Sequence, residues 1–134
     1  MSDFSNCFEL KLPKNLDYQN IIYTRTAANI GDLVLLKKMR KQNPPFAWNE
    51  MTCAAAAMNG HLDILQWAIK NGCPCDAYTY MYAAKNGHLS ILDWIITQKP
   101  ECTDVLLSFI CQIAASNGHQ HVLQWVGKQY DPSY

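Results

Sequence analysis

Apolar residues fall in the same order four times along this chain. Each time an alanine pair (Ala27-Ala28, Ala56-Ala57, Ala83-Ala84, Ala114-Ala115) is followed three residues later by a glycine, Gly31, Gly60, Gly87 or Gly118. Beyond the glycine, apolar positions come at plus two, four, five and seven or eight: Leu62, Ile64, Leu65, Trp67, Ala68, and Leu89, Ile91, Leu92, Trp94, Ile95. That is the stripe of an amphipathic helix. Upstream, Asn20, Asn49 and Asp76 each stand eleven residues before their glycine. Asn and Asp favour helix N-caps, and glycine ends helices in the left-handed conformation. Each unit therefore predicts a helix, a tight turn and a second helix, closed in one copy by the turn signal Asn71-Gly72-Cys73-Pro74. The glycines are 29, 27 and 31 residues apart, the period of a stacked-repeat protein. In the last copy the cap candidate is Thr103, fifteen residues before Gly118, which predicts a first helix about one turn longer.

Small residues dominate the first helix of each unit, with Ala54 to Ala57 uninterrupted, so neighbouring first helices are expected to approach closely. The end units differ from the middle ones, as capped arrays require. Lys38 takes the slot of Trp67, Trp94 and Trp125, and Gln120 takes that of Leu33, Leu62 and Leu89. The expectation is an all-α helix-turn-helix stack of about four repeats. An N-terminal arm, 1–16, precedes one repeat domain, 17–134, with repeats near 17–46, 47–74, 75–101 and 102–134.

Composition narrows the function classes. The chain has 134 residues, 49% of them hydrophobic, enough for a core. Eleven basic and eleven acidic residues cancel, which argues against nucleic acid or an anionic membrane as partner. No apolar run reaches the roughly 20 residues of a membrane helix, and the polar start is not a secretory leader. A cytoplasmic protein, monomeric when free, is the expectation. Two of the six cysteines, Cys53 and Cys111, share the slot seven residues before the glycine, and Cys75 and Cys102 share another. Recurrence at structural positions reads as reduced thiols acting as small hydrophobes.

Asn-Gly-His occurs at Asn59-Gly60-His61, Asn86-Gly87-His88 and Asn117-Gly118-His119. The run Ala-Ala-x-Asn-Gly-His-Leu-x-x-Leu, with Asn71-Gly72-Cys73 after the second helix, resembles the ankyrin repeat across about residues 17–134. The usual Thr-Pro-Leu-His opening is replaced by Met51-Thr52-Cys53-Ala54 and Tyr78-Thr79-Tyr80-Met81. The units are also shorter than the usual ~33 residues, so the hairpin fingers are expected to be cut down to turns. Asn-Gly-Cys-Pro-Cys-Asp, with Trp67 after Gly-His-Leu, is similar to the divergent short ankyrin repeats of giant amoeba-infecting viruses. The resemblance implies a non-enzymatic scaffold holding a protein partner on its concave side, a host factor where the source is viral. The alternative is a structural subunit of a larger assembly such as a virion. Carried over by position, the contact slots are Trp48, Glu50, Met58, Asn59, Ala77, Lys85, Asn86, Ser116 and Asn117, with Cys75, Leu106 and Ser108 in equivalent places. Trp48 and Met58 also suit an interface on residue type alone, although Trp48 could equally cover an inter-repeat groove.

Catalytic and metal chemistry fit the residues less well. His61, His88 and His119 hold equivalent slots, about one repeat apart, too far to share an ion held at ~2.0–2.1 Å. The resemblance implies instead that they brace the turn between helices. Cys73-Pro74-Cys75 supplies two thiols where zinc generally needs four ligands, and the nearest further thiol expected is Cys102. No cofactor, metal or catalytic residue is assigned. Lys37-Lys38-Met39-Arg40-Lys41 holds four of the eleven basic residues; it reads as the solvated face of the front cap, or as a contact for an acidic partner or a nuclear signal.

Overall fold

Asn49 and Asp76 start helices as their residue types predict. The Asn49 side chain accepts from the Met51 N–H at 2.9 Å, and that of Asp76 from the Tyr78 N–H at 3.0 Å. In the computed structural model, which describes residues 16–98 and 103–130, eight helices follow one another. They are α1 (Leu16–Ile30), α2 (Leu33–Arg40), α3 (Glu50–Met58), α4 (Leu62–Lys70), α5 (Ala77–Lys85), α6 (Leu89–Gln98), α7 (Thr103–Ser116) and α8 (Gln120–Tyr130). No strand forms among the described residues, so the connections 41–49 and 71–76 are turns rather than hairpin fingers.

The odd-numbered helices form one row, α1 on α3, α3 on α5 and α5 on α7, and each even-numbered helix lies against its own partner. Alanine makes the row possible: Ala27, Ala28, Ala54, Ala56, Ala57, Ala83, Ala84 and Ala114 are completely buried. The larger volume comes from the second helices, where Leu36, Ile64, Leu65, Ile91, Leu92 and Val122 are also fully buried. Each such side chain contributes about 1.5–3 kcal/mol relative to an exposed one. The fold is an all-helical stack of four helix pairs.

The first helices α3, α5 and α7 end in Schellman turns, and α1 keeps only the longer bond, from the Asp32 N–H to the Ala27 carbonyl. The His61 N–H bonds the Ala56 carbonyl at 2.8 Å and the Gly60 N–H that of Ala57 at 3.3 Å; His88, Gly87, Ala83 and Ala84 repeat the pattern. Gly60 and Gly87 have φ of 76° and 73°, which a side-chain-bearing residue adopts only under strain.

Three expectations need correction. Asn20 is not a cap but lies inside α1, which begins at Leu16 with Asp17 in its first turn, where a carboxylate suits the helix dipole. The helix α7 is longer than α3 and α5, as expected, with 14 residues against nine, while α1 has 15. Thr103 is its first residue and not its cap. The added length also carries Leu106 onto the core side, where it is only 8% exposed and cannot serve as a contact. Most of the proposed arm, 1–16, lies outside the described residues, as does Cys102.

Candidate protein-binding face

The Asn-Gly-His runs join repeats rather than merely bracing their own turns. A carbonyl can only accept, so each ring donates from Nε2. His61 bonds the Asn29 carbonyl at 3.2 Å, His88 that of Met58 at 2.9 Å, and His119 that of Lys85 at 2.6 Å. Every acceptor lies at the end of the preceding repeat's first helix, where carbonyls lack intrahelical partners. His121 adds a fourth link, to Gly87, at 2.8 Å. The asparagines work alongside: Asn86 Nδ2 donates to the Met58 carbonyl at 3.1 Å, and Asn59 Nδ2 to Asn29 Oδ1 at 2.8 Å. Asn59, Asn86 and Asn117 are exposed, yet their amides are engaged, Asn117 with the Ile113 carbonyl at 2.8 Å.

The remaining expected contact residues fall into two groups at opposite ends of the first helices. Met58, Lys85 and Ser116 stand at the C-terminal ends, with Lys85 and Ser116 exposed and Met58 half-buried. Glu50 and Ala77 open α3 and α5 at the other end, Ala77 being exposed. A nine-residue helix spans about 13 Å, so the groups form two edges of one surface. Trp48 is apart from both. It packs between second helices, edge-on to Trp67 with ring centroids 5.7 Å apart and under the Arg40 guanidinium, 4.0 Å away.

Between the two edges runs a row of large side chains absent from the expected set. Tyr78 and Phe109 each lie nine residues before their glycine, and the next turn presents Tyr82 and Ile113. Tyr78 is 50% exposed and Phe109 48%, flanked by Met81 and Val105, also exposed. Tyr78 and Tyr82 stack at 6.1 Å. At 100° per residue these positions point away from the buried slots of Thr79, Ala83 and Ala84, so they look out from the row of first helices. The shared distance to the glycine was the signal in the sequence that could have found them.

Cys53 fills the core slot expected of it, while Cys111, its counterpart, is less enclosed. Cys53 is buried and shares side-chain hydrogen bonds with Cys73 and Cys75, so the third thiol near Cys73-Pro74-Cys75 comes from α3, two helices back. The bond with Cys73 is the largest cause pushing the Cys53 thiol far above its ordinary range; that with Cys75 pulls the other way, and burial adds to the rise. Such a thiol is the opposite of an activated nucleophile. Cys53, Cys73 and Cys111 are free thiols, Cys111 only half-buried. Among the described residues no group of three or more His, Cys, Asp or Glu side chains is placed to hold a metal ion, and no helix is long and apolar enough to cross a membrane.

Residues 53–96, from α3 through α6, match the family model of ankyrin repeats (many copies). No curated protein and no solved structure matches the chain. The match, together with a turn and a histidine brace repeated in register outside it, supports an ankyrin-repeat protein whose fold is an ankyrin-type stack of helix pairs.

Proposed function

We propose that this chain is a non-enzymatic scaffold that binds a protein partner across the exposed face of its first-helix row. The observation that carries the reading is the row of Tyr78, Met81, Val105 and Phe109, all large, apolar and open to solvent on consecutive repeats. Aromatic and methionine side chains are enriched at interfaces, and a rigid helical row presents them without an ordering cost. Ala77, Lys85, Asn86, Ser116 and Asn117 edge this patch, with Glu50, Met58 and Asn59 on the adjoining repeat. Trp48 belongs to this surface only if its packing against Trp67 is released. On the resemblance to repeats of amoeba-infecting viruses, the partner is a host protein met in the host cytoplasm.

A photo-crosslinking residue placed at Tyr78 or Phe109, and for comparison at Gln66 or Gln124 on second helices, tests the reading. One protein should crosslink from the first two sites and not from the others. Crosslinking from Gln66 and Gln124 alone would place binding on the wrong side of the stack for this proposal. Crosslinking from all four sites to further copies or to neighbouring subunits would favour a structural role in a larger assembly.

A further inference from the structure

On the side of the stack formed by the second helices, the end of α2 builds a cleft of about 430 Å³ lined by Lys37, Arg40, Lys41, Trp48, Trp67 and Asn71. Three of the six lining residues are cations and none is acidic. The indoles fix two of those cations. Arg40 lies over the Trp48 ring with Cζ 4.0 Å from the centroid, and one of its Nη atoms donates to the Phe46 carbonyl. Lys37 Nζ stands 5.9 Å over the Trp67 ring. Cation–π contact holds such groups in place, and among the described residues only the Phe46 carbonyl accepts from either head group. The carbonyls at the end of α2 do not fill that role: those of Lys37, Lys38 and Met39 accept the Lys41 N–H, and that of Lys38 also accepts from Gln42 Nε2.

Three like charges beside two apolar rings concentrate a positive field in one concavity. Because each ring already has a cation over one face, an aromatic ligand finds poor stacking there. What the cleft offers is N–H donors directed at negative oxygen, including an arginine fork suited to a carboxylate. Its volume falls within the roughly 300–1,000 Å³ of ligand sites and far exceeds the ~30 Å³ of a water molecule, so it suits several groups rather than one small ion.

We propose that this cleft binds an acidic peptide segment of a protein, with one carboxylate on the Arg40 fork and others against Lys37 and Lys41. Charge complementarity chooses the occupant. The site is separate from the first-helix face and does not depend on what that face binds.

The test uses fluorescein-labelled hexaglutamate as probe, with the full chain at low salt and anisotropy as readout. Saturable binding at one site is expected. The Lys37→Gln/Lys41→Gln double variant, which leaves the Arg40–Trp48–Trp67 packing intact, should bind about tenfold or more weakly, a difference of about 1.4 kcal/mol, with an unchanged melting curve. Arg25→Gln/Lys128→Gln removes the same charge elsewhere and should bind as the parent does. Absence of saturable binding overturns the proposal. So does equal weakening in both double variants, which would reveal a response to net charge alone. Displacement of the probe by inorganic phosphate as readily as by unlabelled hexaglutamate would mark a small-anion site and overturn it too.

Discussion

His88 lies over Gly60 of the preceding repeat: a Cβ built on Gly60 would stand 3.0 Å from both Cε1 and Nδ1 of the imidazole. The same ring donates to the Met58 carbonyl at 2.9 Å. One glycine thus meets two demands, a left-handed backbone that ends its own helix and a bare surface on which the next repeat's histidine rests. Gly31 stands in this relation to His61, and Gly87 to His119 and His121.

At Gly118 no histidine of the described residues lies over the glycine, and this separates the two demands. Gly118 shares the φ of 73° with Gly87, but a Cβ there would meet nothing within 4 Å. Gly118→Ala should therefore cost only the left-handed strain, about 1 kcal/mol. In Gly87→Ala the new methyl would lie 2.9 Å from His119 Nδ1, forcing that ring away from the Lys85 carbonyl. The added loss is about one hydrogen bond, for a total of about 2 kcal/mol. Urea denaturation of both variants measures the difference; equal losses would show that the histidine contact contributes nothing.

A second comparison concerns two threonines buried in first helices. Thr24 Oγ1 contacts the Ile21 and Ala47 carbonyls, each at 3.0 Å, whereas Thr52 Oγ1 has no hydrogen-bond partner among the described residues. Valine keeps the shape and branching of threonine and removes the hydroxyl. Thr52→Val should stabilise the stack by about 1 kcal/mol, and Thr24→Val should destabilise it by about as much. Thermal or urea melts of the two variants decide it, and a loss in both would show that Thr52 has a partner after all.

What the sequence disclosed, and what it concealed, follows from the range of each interaction. The caps at Asn49 and Asp76 and the turns at Gly60 and Gly87 obey rules that act over a few residues, so residue type and spacing sufficed. The His88–Met58 bond joins residues 30 positions apart; the repetition of Asn-Gly-His marks it as structural without revealing the acceptor. Tyr78 and Phe109 were hidden for another reason. The slots carried over by family position emphasise the ends of the first helices, and the aromatic row lies between them. Trp48 could be an anchor or a packing residue on sequence grounds, and only the placement of Arg40 and Trp67 resolves its surroundings. Cys53 and Cys73 meet because the turn after α4 returns to α3, a closure that no local pattern encodes.

Stability at high pH should carry the signature of Cys53. Its thiol is raised above the ordinary 9.0, so the folded state holds the proton after the unfolded chain has released it. The contribution is complete below the unfolded value and is lost progressively as pH rises through and beyond it. The parent should therefore lose stability more steeply than Cys53→Ala above pH 9.0, by up to about 1.4 kcal/mol per pH unit for one proton. Urea midpoints of the two proteins across this range give the slopes. Parallel curves would mean that the Cys53 environment does not disfavour the thiolate.

The binding face and the packed tryptophan should part company on mutation. Tyr78 and Phe109 are about half exposed, so alanine at both removes contact area while leaving the buried slots of α5 and α7 filled. If they anchor a partner, each truncation should cost about 2 kcal/mol of affinity, about thirtyfold in Kd. Melting should shift little, because exposed substitutions usually stay within about 0.5 kcal/mol. Trp48→Ala should behave in the opposite way. It strips Arg40 and Trp67 of a shared neighbour and should cost about 2 kcal/mol of stability, below the range for fully buried tryptophans because Trp48 is only half-buried. Binding to the same partner should persist wherever the variant remains folded. Calorimetry with the crosslinked partner and a melting curve for each variant give both numbers. Normal binding by a folded Tyr78→Ala/Phe109→Ala protein would remove the first-helix face from consideration. Loss of binding by a fully folded Trp48→Ala protein would move the interface to the second-helix side, where Trp48 meets Arg40 and Trp67.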